Sequence, residues 1–132
     1  MFLTWADLRR ADLRGVDLTR AILNGAELCQ AWLGSTRLDH AHLSRADLRG
    51  ARLDGATLSG ADFASADLRD THSLTAEQLS GAFIDENTRL PPELAADPWV
   101  VARLADCRSW REQHAANELP PPSTPRPAGQ PR

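Results

Sequence analysis

From Ala6 to Asp70 the chain reads, in fives, ADLRR, ADLRG, VDLTR, AILNG, AELCQ, AWLGS, TRLDH, AHLSR, ADLRG, ARLDG, ATLSG, ADFAS and ADLRD. Leucine holds the centre of every unit but one, where Phe63 stands, and a small residue, usually alanine, sits two places before it. This period of five decides the fold, because neither regular element can bury it. On an α-helix turning ~100° per residue, successive leucines would advance ~140° and scatter round the cylinder. In a flat strand the side chains alternate with period two, so an odd repeat would send each leucine to the opposite face. A common core forms only if the chain turns a corner in every unit. The small residue and the leucine then point inward together, and the residues flanking leucine point outward. Gly15, Gly25, Gly50, Gly55 and Gly60, with Ser35 and Ser65, stand at the unit ends where such corners fall.

Gapless A(D/N)LxX units resemble the pentapeptide-repeat proteins, and the resemblance covers roughly half of the chain. It implies an all-β solenoid, a right-handed quadrilateral β-helix with four units to a coil. Thirteen units would then make about three coils, with Leu3 adding one more side, and at ~4.8 Å per coil a core ~16 Å tall. So short a stack is not held by its leucines alone, since ordering the backbone costs more than burying those side chains contributes. Hydrogen bonds between coils and covers over the open ends must supply the rest.

A cover is legible after Asp70. Thr75, three residues before Gln78, gives a capping box and predicts a short helix from Ala76 to about Ser80, with Leu79 on its buried side. Ala82 with Ile84, and Thr88 with Leu90, recover the small-x-large spacing, as in one irregular coil that Pro91-Pro92 closes off. The stretch 74–91 also resembles a segment that often follows bacterial pentapeptide repeats. Asp97 as N-cap and Pro98 as first residue then begin a helix expected to run to about Ala115. Its Trp99, Val100, Leu104, Cys107 and Trp110 gather on one arc, which Arg103 and Arg111 interrupt. From Leu119 the proline-rich sequence predicts a disordered tail. The organisation read from the sequence is therefore a repeat β-helix with its capping coil over 1–91 (repeats 6–70, cap 71–91), a C-terminal helix over 92–117 and a tail over 118–132.

Composition narrows the function. A net charge of -3 predicts neither nucleic-acid nor anionic-membrane binding. No apolar run approaches the ~20 residues that span a bilayer, and Met1 leads into the repeat without a basic start and an apolar core. Cys29 and Cys107 lie far apart and form no disulfide framework, so a reducing cytoplasm is the expected compartment, and the family resemblance implies a bacterial one. His40 and His42 point outward with no cysteine or carboxylate pair at metal spacing, and His72 and His114 are expected at the surface. No phosphate loop, GxSxG or HExxH occurs. With an interior filled by leucine and alanine, no enzyme, cofactor or small-molecule substrate is expected.

Function is then left to the outward positions. Taking every fourth unit stacks Asp7, Glu27, Asp47 and Asp67 beside Arg9, Cys29, Arg49 and Arg69, an acidic ladder next to a basic one. On the next side Asp12, Trp32 and Arg52 stack, which predicts a cation-π contact between Trp32 and Arg52, and on the third Asp17 sits over Arg37. The arginines around Cys29 are expected to lower its pKa. Some members of the family resemble DNA in shape and charge and bind a type II topoisomerase, but between Ala6 and Asp70 ten acids face nine arginines, a poor copy of a duplex with one charge per ~1.7 Å. Ile22 and Trp32 replace the usual acidic residue before leucine. Together with Arg52, Trp99 and Trp110 they form the expected interaction surface of a non-catalytic scaffold that binds a protein partner or a second copy of itself. The alternatives are a short DNA mimic and a remnant of a larger repeat protein, the latter because Met1 begins almost inside the repeat.

Overall fold

The computed structural model of the chain describes residues 2–113. The predicted tail over 118–132, His114 and the expected last turn of the C-terminal helix lie outside them.

Every fifth residue from Trp5 to Asp70 is left-handed, with φ between 57° and 74°. These are the corners. From Leu3 to Phe63 the carbonyl of each unit's central residue accepts from the N–H three residues on, as Leu8 does from Ala11 at 3.1 Å, closing a turn whose third residue has positive φ, and Leu68 O accepts from the Thr71 hydroxyl at 2.9 Å. The predicted glycines take this position, but so do Arg10, Arg20, Gln30, His40 and Arg45, whose Cβ atoms make the conformation costly. The spacing of the repeat, more than the residue at its end, therefore fixes where the chain bends.

Successive levels pair in parallel at a separation of twenty residues: Asp7 with Glu27, Glu27 with Asp47, Asp47 with Asp67. Four units thus complete one turn. Leu8 donates to Glu27 O at 2.8 Å, Glu27 to Ala6 O at 2.9 Å and Arg10 to Cys29 O at 2.9 Å, and this triplet recurs up the stack. Among the described residues the pairing consists of isolated bridges and not of continuous strands, because a corner follows every extended residue. Inside, the leucines from Leu18 to Leu68 and the alanines between them are buried with Phe63. Thr36, where alanine is usual, is also buried, and its hydroxyl donates to Leu13 O at 2.7 Å.

The end beyond Asp70 is closed by three helices. In α1 (Ala76–Leu79) the capping box is present: Thr75 Oγ1 accepts from the Gln78 N–H at 3.1 Å, and Gln78 Oε1 accepts from the Thr75 N–H at 2.8 Å. Gln78 Nε2 also donates to Leu53 O and Ala56 O at 2.8 and 2.9 Å, and at Ala56 O it replaces the amide donor that a further level of repeat would supply. Ala82, Ile84 and Thr88 are buried as the spacing predicts, and Phe83 bridges Asp62. Where Pro91-Pro92 reads as a stop, Pro92 instead opens α2 (Pro92–Ala95), since proline is tolerated at a first helical position. Asp97 Oδ1 accepts from Trp99 N–H at 2.8 Å and starts α3 (Pro98–Gln113), which packs on α1 and α2.

The two arginines that interrupt the apolar arc of α3 are part of the seal. Arg103 is 1% exposed and donates through Nε to Ala82 O at 2.7 Å. Arg111 lies 5.8 Å from the Phe83 ring centroid and pairs with Glu86 at 3.3 Å and with the buried Asp85 at 3.8 Å. Trp99, at the start of α3, is buried, with 5% of its surface exposed.

Candidate interaction surface

At the opposite end nothing comparable covers the core among the described residues. Phe2 is 83% and Trp5 68% exposed, and Leu3, Leu8, Leu13 and Val16 are only partly buried. Trp5 has the left-handed corner conformation, and its ring lies over Gly25, where a Cβ would run into it. Ile22, read from the sequence as an exposed apolar residue, is half-buried instead, because it is stacked between Phe2 and His42 on the fourth side. Trp110 is also half-buried on α3. Of the aromatic residues read as a surface, Trp32 alone stays well exposed, at 41%.

Trp32 is held by two guanidiniums. Arg52 lies 4.7 Å from its ring centroid, as the stacking predicts, and Arg14 lies 5.1 Å away, a contact that period-twenty stacking does not predict because Arg14 belongs to the neighbouring column. Gly34 carries no side chain in that column. Such contacts contribute about 0.5–1 kcal/mol each at exposed sites and fix the ring in place.

The charged ladder is paired mainly within each unit. Arg9 meets Asp7 at 2.8 Å, Arg14 meets Asp12 at 2.7 Å, Arg49 meets Asp47 at 2.9 Å and Arg69 meets Asp67 at 2.7 Å. Longer contacts link levels, Arg9 to Glu27 and Arg49 to Asp67, both at 3.8 Å. The hydrogen bonds from Arg9 and Arg14 hold the Asp7 and Asp12 carboxyls down to about 2. These pairs are solvated and individually weak. Asp62 behaves oppositely: burial raises its pKa, and the backbone hydrogen bond from Ala64 and the nearby His42 only partly offset that.

Cys29 corrects an expectation. Partial burial, followed by its contact with the Asp47 carboxylate, raises the thiol pKa, and the nearby Arg49 offsets this only in part. The ladder's arginines are already neutralised by aspartates, so they do not activate the sulfur. Cys107 is buried against the last coil and its pKa is raised by that burial. Both thiols are free. Among the described residues no group of three or more histidine, cysteine, aspartate or glutamate side chains is placed to hold a metal, and no helix is long and apolar enough to cross a membrane.

Four five-residue units per turn, left-handed corners and a solid leucine core define a class: quadrilateral repeat solenoids whose only usable surfaces are external. A family profile described as pentapeptide repeats matches residues 3–33 and 33–70 in eight copies, just over half of the sequence, and the chain belongs to that family. Among solved structures, a pentapeptide repeat protein of the Arabidopsis thaliana thylakoid lumen is similar, with 26% identity, a TM-score of 0.58, and coverage of 70% of this chain and 66% of that one. A second is the pentapeptide repeat protein Rfr23 of the cyanobacterium Cyanothece 51142, with 34% identity, coverage of 67% and 63%, and a TM-score of 0.35. A third is QnrB1, a plasmid-mediated fluoroquinolone resistance protein, at 19% identity, 75% and 63% coverage and a TM-score of 0.29. The chain therefore spans less than two thirds of the length of each of these three. No curated protein matches it.

Proposed function

We propose that this chain is a non-catalytic interaction scaffold of about three coils, with the repeat and its capping coil over 1–91, and that it engages another protein or a second copy of itself. The observation that carries this reading is the distribution of exposed aromatic surface. Phe2, Trp5 and Trp32 are exposed, while at the capped end Phe83 and Trp99 are buried and Trp110 is half-buried. Large exposed aromatics mark protein contact, because leaving them in water forgoes the burial that drives association. Direct pairing of Asp7, Asp12, Asp47 and Asp67 with arginines weighs against imitation of a polyanion. The two free thiols fit a reducing cytoplasm.

Cross-linking of the full chain in an extract of its source cells, followed by peptide mapping, tests the reading, and light scattering distinguishes a second copy from a different protein. Cross-links are expected around the uncovered Phe2 end and on the side that carries Trp32, and are expected to vanish in Trp5→Asp and Trp32→Asp variants whose circular dichroism is unchanged. Cross-links that persist in both variants, or that map only to α3, would overturn it.

A further inference from the structure

Three adjoining hollows, of roughly 460, 330 and 470 Å³, follow one corner of the solenoid, and Gln30 lines all of them. They join into a groove running up the column Arg10, Gln30, Gly50, Asp70. Its floor is shallow at Gly50, whose missing side chain leaves room for Gln30 to fold down, with Gln30 Cγ 3.2 Å from where a Cβ would stand. One wall carries Arg9, Cys29 and Arg49, and the other carries Trp32, Arg52 and His72.

The charges of this groove are not balanced as the ladder beside it is. Arg9 and Arg49 are satisfied by Asp7 and Asp47. Arg10 makes its hydrogen bond to a neutral group, Nε to Gln30 Oε1 at 3.0 Å, and among the described residues has no carboxylate within ion-pair distance. Arg52 has none either, its close contact being the Trp32 ring. Two guanidiniums therefore face the same groove with hydrogen-bond donors unspent, on a chain whose overall charge is -3. Their residues stand two levels apart, ~10 Å along the axis at ~4.8 Å per level, and both side chains lean toward the middle level, Arg10 onto Gln30 and Arg52 over the exposed ring of Trp32.

We propose that this groove binds an extended acidic segment of a protein partner, with two carboxylates on Arg10 and Arg52 and an apolar side chain against Trp32. The inference rests on the scaffold reading and names the chemistry of the partner. Arginine presents a planar fork that suits carboxylates, and a guanidinium with no internal acid gains the most from an external one. A long polyanion such as nucleic acid fits less well, since Asp7 and Asp70 stand at the two ends of the groove and repel a continuous run of phosphates.

Fluorescence anisotropy with a fluorescein-labelled octaglutamate peptide and the full chain at low salt tests this. Saturable binding is expected, weakened at least about tenfold by Arg10→Glu and by Arg52→Glu and unchanged by Arg45→Glu, an exposed corner arginine outside the groove. Each variant is first checked for an unchanged melting temperature. Absence of binding, an equal loss in Arg45→Glu, or tighter binding of an eight-residue oligothymidylate at the same salt would overturn the proposal. Should octaglutamate fail while Trp32→Asp still removes the mapped cross-links, the acidic-segment inference falls and the scaffold reading stands.

Discussion

The two ends of the solenoid are built from the same five-residue unit and finished in opposite ways. Beyond Asp70, Ala56 O and Ala82 O, which no further level of repeat meets, accept from the side chains of Gln78 and Arg103. At the Phe2 end the same kind of core is partly bare, and its aromatic residues face solvent. The repeat supplies a core wherever it has a level above and a level below. What differs between the ends is therefore cover and not composition, and the bare end is the one where association removes the most apolar surface from water.

The sharpest way to break this contrast uses one column of leucines. Leu48 is fully buried with levels on both sides, whereas Leu8 is only partly buried. Leu48→Ala is expected to cost about 2–5 kcal/mol, and Leu8→Ala less than half as much, read as the shift of a urea midpoint at constant slope. Equal costs would mean that the Phe2 end is covered in solution. Next in size, Arg103→Met keeps bulk but leaves Ala82 O without its donor, for an expected loss of about 1–3 kcal/mol. Hydrogen exchange should then quicken over the Ala82–Thr88 segment first. Thr75→Ala removes one arm of the capping box and should cost about 1 kcal/mol, visible as a lower thermal midpoint.

The smallest effect is electrostatic and carries opposite signs on different sides of the solenoid. Asp7 and Asp12 are held near 2, below their unfolded value, so what they contribute is present above an unfolded pKa of about 4 and is lost as pH falls toward 2. Asp62 is raised by burial, so its charged form opposes folding at neutral pH and protonation relieves the opposition as pH falls through its folded pKa. Asp62→Asn is therefore expected to raise the thermal midpoint slightly at pH 7, with the gain shrinking on acidification. A gain that persists unchanged at acid pH would show that burial of this charge is not the cause.

The repeat was fully legible because its information is local: small-x-leucine fixes which side chains point inward, and the period fixes the corners whatever residue occupies them. Thr75 with Gln78, and Asp97 with Pro98, were legible for the same reason, as short-range hydrogen-bond chemistry. Contacts between elements were harder to read. Arg103 looks like a flaw in an apolar arc until the carbonyl of Ala82 is seen facing it. Ile22 reads as exposed until Phe2 and His42 flank it, and Cys29 reads as activated until its arginine neighbours prove to be already paired. In the interaction surface, Trp32 and Arg52 followed from period-twenty stacking, whereas Arg14 reaches Trp32 from an adjacent column and Arg10 enters the groove from a corner. Neither was flagged by its unit.

The corners carry a further consequence. A left-handed φ at every fifth residue holds each corner side chain at a fixed height, and the coil tolerates arginine, glutamine, histidine, serine or glycine there. The edge of the molecule is thus a ruler with graduations ~4.8 Å apart, on which a mark can be changed wherever the next corner side chain does not lie over it, as those of Trp5 and His40 lie over Gly25 and Gly60. A partner that reads two marks measures a distance, and substituting one corner residue shifts the message by a whole graduation while leaving the rod that bears it intact.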